Sequence, residues 1–178
     1  NTAKVKAGDS VAVFGLGGVG LSAIMGAKVA GSSTIIAVDM RPEKFDLAGK
    51  LGTTHCLNPA QGDIVTAIRD LTHGGVDHAV EAVGNARVLA QAYESACRGG
   101  SAISIGLPHP DQQLSIQAVS IVAQEKCIRG SYMGSAVPRR DIPLYIRWFQ
   151  EGRLPVDQLL SGSIPLERIN EGFDSLAD

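Results

Sequence analysis

Aromatic residues are scarce, with four phenylalanines, three tyrosines and one tryptophan making up 4% of 178 residues. Cysteine is scarcer still: Cys56, Cys97 and Cys127 lie far apart, and no CxxC pair occurs. An odd, scattered set argues against a disulfide framework and for reduced thiols, hence a cytoplasmic location. We expect all three thiols to be buried and inert, because a free cysteine packs as a small hydrophobe. No apolar run reaches the roughly 18 residues that a membrane helix needs. The opening stretch Asn1-Thr-Ala-Lys-Val-Lys-Ala-Gly-Asp-Ser10 has no apolar core of a signal peptide. Charge of one sign is missing too. The net charge is −2 and the longest like-charged run is Arg139-Arg140, so no nucleic-acid footprint is visible.

What the chain has instead is glycine, 21 residues of it, and short aliphatic runs. Ser10 to Phe14, Thr34 to Asp39, Thr54 to Leu57, Val76 to Val83, Ser101 to Gly106 and Cys127 to Tyr132 read as buried strands. Helical spacing falls between them, at Gly18 to Ala30, Glu43 to Leu51, Asp63 to Leu71 and Ala86 to Cys97. Two amphipathic helices follow, Arg139 to Glu151 and Leu166 to Ala177. Strands alternating with helices imply right-handed crossovers. The expected fold is α/β: a doubly wound Rossmann fold, with a six-stranded, mostly parallel sheet and helices on both faces. No initiator Met is present, and the last residues read as the middle of a helix. We therefore expect residues 1–178 to be one dinucleotide-binding domain cut from a larger protein.

The motif Gly15-Leu16-Gly17-Gly18-Val19-Gly20 is a GxGxxG placed between a strand and a helix, where its chemistry is needed. Gly15 permits the tight turn. Gly17 lets a pyrophosphate approach the backbone, and Gly20 lets the helix pack close to the strand. The helix N-terminus then offers free N–H groups and partial positive charge to phosphates. Asp39 ends the second strand, 19 residues after Gly20. An acid there can accept hydrogen bonds from the adenosine ribose hydroxyls and repel the 2′-phosphate of NADP. The expected cofactor is therefore NAD. Arg41 complicates this, since an arginine can accommodate that phosphate; beside Asp39 we read it as exposed or lying against the adenine.

The run Val11-Ala-Val-Phe-Gly-Leu-Gly-Gly-Val-Gly-Leu-Ser22 resembles the coenzyme domain of zinc-dependent alcohol dehydrogenases, in the medium-chain dehydrogenase/reductase family. Ile36-Ala-Val-Asp39 with Lys44, Leu51-Gly52, Gly74-Gly-Val-Asp77, Glu81-Ala-Val-Gly84 and Ile169-Asn-Glu-Gly-Phe-Asp174 continue the likeness in order. The resemblance implies further cofactor-binding positions. Met40 sits beside Asp39, and Lys44 matches a lysine that contacts the adenosine ribose. Val83 and Gly84 match a segment beside the adenosine. Ile105, Gly106 and Leu107 match a backbone stretch on the nicotinamide side, and Tyr132 and Met133 a segment meeting the carboxamide.

The resemblance also implies a catalytic zinc in the parent protein, held by a second domain and not by this chain. His55, His73, His78 and His109 lie on different elements, without metal-ligand spacing. No catalytic residue is assigned here. The implied reaction is hydride transfer between NAD(H) and a small alcohol or aldehyde, with this domain positioning the nicotinamide. Primary alcohols, secondary alcohols, polyols and S-hydroxymethyl thiol adducts all stay open as substrates. By itself the chain is expected to bind NAD without turnover. The family further implies a homodimer through an edge strand within residues 122–133, with neither nucleic acid nor membrane as partner. Against it stand the charges on Glu125, Lys126 and Arg129, which would blunt such an edge. The alternative is the coenzyme domain of a zinc-free medium-chain quinone or enoyl reductase, which usually carries an alanine in the glycine motif. A short-chain dehydrogenase would need Lys four residues after Tyr; Tyr93, Tyr132 and Tyr145 are followed there by Cys97, Ala136 and Phe149. A methyltransferase also uses glycines and an acid, but the full GxGxxG argues against it.

Overall fold

Short β-branched runs become strands here because helices cover both of their faces. In the computed structural model, which describes residues 1–175, β1 spans Ser10–Phe14, β2 Thr34–Val38, β3 His55–Leu57, β4 Val76–Glu81, β5 Ala96–Ser104 and β6 Cys127–Gly130. Helices α1 (Gly18–Ala30), α2 (Phe45–Leu51), α3 (Ile64–Thr72), α4 (Ala86–Ser95) and α5 (Ala118–Ala123) lie between them. Helices α6 (Pro138–Gln150) and α7 (Ile169–Asp174) follow the last strand. The strand order is β3-β2-β1-β4-β5-β6, and all five pairings are parallel. The two halves of the sheet diverge from the β1/β4 pair. Such a reversal of winding leaves a crevice at the C-terminal ends of the strands.

Alternate side chains of each strand enter separate cores, as a two-residue period requires. Val11, Val13, Ile35 and Ala37 pack against Leu21, Ile24 and Met25 of α1 and against Ala48 and Leu51 of α2. Ala12, Phe14, Ile36 and Val38 face Ile64 and Ile68 of α3 and Ala92 of α4. Burying each of the larger side chains contributes about 1.5–3 kcal/mol. Helices α3 and α4 begin with side-chain caps: Asp63 accepts from the Thr66 N–H at 2.9 Å, and Asn85 from the Arg87 N–H at 2.9 Å. Helix α1 begins at Gly17 with no side-chain cap.

The structure departs from the sequence reading in several places. β5 starts at Ala96, so Cys97 belongs to the strand rather than to α4. The pair Gly99-Gly100, expected to separate helix from strand, lies within β5 at the register break against β4, between the pairs Val76/Ala96 and His78/Ser101, with Gly99 at φ +74°. Pairing with β4 on either side of the break, absent from any local window, is what places the glycines inside the strand. Helix α5 is six residues long and has no sequence cap, which is why it was invisible. The last helix is a 3₁₀ turn at Leu166–Arg168 followed by α7, and the expected end at Ala177 lies outside the described residues. The expectation of three buried thiols fails: Cys56 is exposed, and Cys97 and Cys127 are half-buried. Cys56 sits on β3, an edge strand with a single neighbour and two exposed residues. Among the described residues no helix is long and apolar enough to cross a membrane.

Candidate dinucleotide site

β1 carries the chain to the C-terminal edge of the sheet, and Gly15 turns it with φ +93°. That left-handed backbone favours glycine. A Cβ on Gly15 would also lie 2.8 Å from Val83 Cγ2. The Gly15 N–H donates to the Val38 carbonyl at 2.8 Å, which ties the loop to β2. Gly20 packs so tightly that a Cβ would enter the Gly15 carbonyl oxygen. Gly17 is the opposite case, since a Cβ there would meet no atom within 4 Å. A side chain at Gly17 would fill the open space before the first turn of α1. The N–H groups of that turn have no intrahelical acceptors. Together these features form a cradle for an anion.

Asp39 follows β2 directly and faces this loop. Its Oδ2 accepts from the Leu16 N–H at 2.7 Å and from Lys44 Nζ at 3.3 Å, and its Oδ1 accepts from the Arg41 N–H at 2.9 Å. The carboxylate is thus both a glycine-loop anchor and the acceptor that shapes the turn into Pro42. The sequence reading missed the anchoring role, because nothing local shows that Asp39 reaches Leu16, 23 residues away. A carboxylate has about four acceptor positions. Three are engaged, which leaves about one free; a second opens if Lys44 turns away.

A groove of about 510 Å³ runs from the glycine loop past Asp39. Gly15, Leu16, Gly17, Asp39, Met40, Lys44 and Val83 line it, together with Arg41. Leu16 contributes backbone only, since its side chain is buried in the core. Gly18 and Val19 form the exposed first turn of α1, and Gly20 is buried beneath it. Pro59, Val88 and Gln91 also line the groove and were not singled out in the sequence, where they look like ordinary turn and helix-surface residues. The remaining expected residues lie elsewhere on the same edge of the sheet. Ile105, Gly106 and Leu107 follow β5, and Tyr132 and Met133 follow β6; none of the five lines the groove. Leu107, Tyr132 and Met133 are largely exposed, at 87%, 84% and 80%. Gly84 follows Val83 with φ +78° and stacks against Leu107. Among the described residues, no three His, Cys, Asp or Glu side chains are grouped so that they could hold a metal ion.

Comparison with known proteins gives the same picture over almost the whole chain. Alcohol dehydrogenase 1 of Cenchrus americanus is 37% identical over 180 aligned residues, covering 99% of this chain and 47% of that enzyme. The S-(hydroxymethyl)glutathione dehydrogenase of Haemophilus influenzae is 40% identical over 177 residues, covering 98% of this chain and 47% of that enzyme. The crystal structure of benzyl alcohol dehydrogenase from Acinetobacter calcoaceticus superposes with a TM-score of 0.95 at 35% identity, covering 99% of this chain and 49% of that one. The chain therefore spans about half the length of these relatives. They favour the zinc-dependent reading over a zinc-free quinone or enoyl reductase. The family model described as zinc-binding dehydrogenase matches residues 18–151, which run from the first turn of α1 to the end of α6. This chain belongs to the zinc-binding dehydrogenase family.

Proposed function

We propose that residues 1–178 are the NAD(H)-binding part of a zinc-dependent alcohol dehydrogenase. The observation that carries this reading is the uncapped N-terminus of α1, opening onto a groove that Asp39 lines beside the glycine loop. The N–H groups of Gly18, Val19 and Gly20 receive the pyrophosphate. Asp39 accepts from the adenosine ribose, with Lys44 turning from the carboxylate toward the sugar. Met40 and Arg41 flank the base. Ile105, Gly106, Leu107, Tyr132 and Met133 border the nicotinamide half. Bound NAD supplies the hydride acceptor, or NADH the donor, for an alcohol or aldehyde. Zinc belongs to the parent protein outside these residues, so the chain alone binds cofactor without turning over alcohol.

The parent works as a dimer in the cytoplasm in this reading. Among the described residues β6 pairs with β5 alone; Thr2 meets Arg129 and Ser131 beside it, and Val119 and Val122 of α5 are exposed. Lys126 does not guard that edge with charge, contrary to the sequence reading. It is 4% exposed and turned inward, with Nζ donating to the Tyr93 carbonyl at 3.0 Å. Arg129 and Glu125 remain exposed there, and an edge strand with a single neighbour is a template for a second copy.

The test is a titration with NADH and NADPH, followed by nicotinamide fluorescence and thermal shift. NADH is expected to bind at least about tenfold more tightly, equivalent to about 1.4 kcal/mol. Asp39→Asn keeps an acceptor for Leu16 but removes the charge, so it should narrow that preference. Tighter NADPH binding would mean that Arg41 takes a 2′-phosphate and that NAD is the wrong cofactor. Binding of neither would remove the dinucleotide reading.

A further inference from the structure

Glu81, the last residue of β4, is only 1% exposed. A buried carboxylate is costly unless hydrogen bonds replace its water. Here the backbone supplies them. Oε1 accepts from the N–H groups of Val83 at 2.7 Å, Gly84 at 2.6 Å and Asn85 at 3.4 Å. Oε2 accepts from Ser104 Oγ at 3.4 Å. The Glu81 carbonyl accepts from the N–H groups of Ile105 at 2.9 Å and Gly106 at 3.0 Å. One residue therefore holds both the loop after β4 and the loop after β5. Those loops are in backbone contact: a Cβ on Gly84 would lie 2.8 Å from the Leu107 carbonyl oxygen, and a Cβ on Gly106 would enter the Gly84 N–H.

The strand order says which part of a dinucleotide these loops meet. Asp39 stands after β2 and the glycine loop after β1, on one side of the switch point. A dinucleotide that begins at Asp39 and passes its pyrophosphate over α1 must place its second nucleotide over the ends of β4 and β5. We infer that Glu81 is a positioning residue for the nicotinamide half of the cofactor. It acts from beneath, by setting the shape of residues 84–85 and 105–107; Val83, which it also holds, lines the groove beside Asp39, whereas Gly84 does not. The inference rests on the dinucleotide reading above.

Comparing NADH with AMP, which fills the adenosine half alone, separates positioning from general structural support. Glu81→Met keeps the volume and removes the acceptors; Glu81→Gln keeps one acceptor oxygen. Glu81→Met is expected to weaken NADH about tenfold or more while AMP, which meets only Val83 among the residues Glu81 holds, shifts by about threefold at most, and Glu81→Gln should restore NADH to within about threefold. Equal losses for both ligands, or no loss, would overturn the proposal. Where Glu81→Met does not fold, Gly84→Ala decides: it presses the same loops apart and leaves Glu81 intact. Loss confined to NADH supports the proposal, and a uniform loss or none overturns it. A wild-type chain that binds no NADH fails the dinucleotide reading, and this inference with it. A wild-type chain that binds NADH, with unchanged binding in both variants, fails this inference alone.

Discussion

The two ends of the central strands carry the same residue types and use them differently. At the N-terminal end, acids meet side chains from neighbouring strands. Asp9 Oδ2 lies 3.1 Å from His78 Nε2, and His78 Nδ1 lies 2.9 Å from Ser101 Oγ. Asp77 Oδ2 accepts from Ser10 Oγ at 2.7 Å and from the Ser10 N–H at 2.8 Å. This network stitches β1, β4 and β5 together, away from the groove beside Asp39. The acids at the C-terminal end, Asp39 and Glu81, take most of their hydrogen bonds from loop backbone. There they fix the shape of loops whose outer face stays open, beside a helix end that no side chain caps. A closed set of side chains is glue. A carboxylate turned onto the backbone shapes a site.

If that division holds, substitutions at the open end should disturb binding and those at the closed end only stability. The largest expected effect is at Gly20. Its missing Cβ would enter the Gly15 carbonyl, so Gly20→Ala must displace the glycine loop. A loss of about 1–3 kcal/mol in urea unfolding is expected, with NADH binding abolished by titration. Retained binding would break the comparison.

A smaller effect is expected from Ser10→Ala, which deletes the hydroxyl's two hydrogen bonds with Asp77, one donated to the carboxylate and one accepted from the backbone N–H. Unfolding should move by about 1–3 kcal/mol, and the Kd for NADH should not change. A changed Kd would mean that the two ends are coupled.

The smallest effect is in the acid limb of stability. Burial raises the Asp77 pKa, but hydrogen bonds from the Ser10 N–H and hydroxyl outweigh it, leaving the group below its ordinary 3.8. Asp141 is held at about 2 by hydrogen bonds from Arg140 and the Val137 N–H. Both pKa values are lower folded than unfolded. Their contribution is therefore complete above about pH 4 and is lost as the pH falls through the folded values. Melting temperature should drop from about pH 4 toward pH 2, and Ser10→Ala should flatten the part due to Asp77.

Much of the fold was legible because its signals are local. The strands of β1 and β2 are aliphatic runs, Gly31 and Gly52 stop α1 and α2, and the GxGxxG stands between strand and helix. The misreadings share one cause. Gly99-Gly100 looks like a gap between helix and strand until β4 pairs on both sides of it. Cys56 looks buried until β3 proves to be an edge. Lys126 looks like an exposed edge charge until the end of α4 receives its ammonium at the Tyr93 carbonyl. The site divides in the same way. Gly15, Gly17 and Asp39 were readable from their spacing. Pro59, Val88 and Gln91 were not, because their role comes only from the groove they share.

The sequence by itself determined the alternation of strand and helix, the glycine turn and the acid after the second strand. Each depends on backbone geometry and side-chain chemistry within a few residues. Only the tertiary structure decided that β1 lies between β2 and β4, that Asp39 anchors Leu16 and that Glu81 holds two loops from below. Those outcomes depend on which strands become neighbours, and burial of both sheet faces settles that across the whole chain.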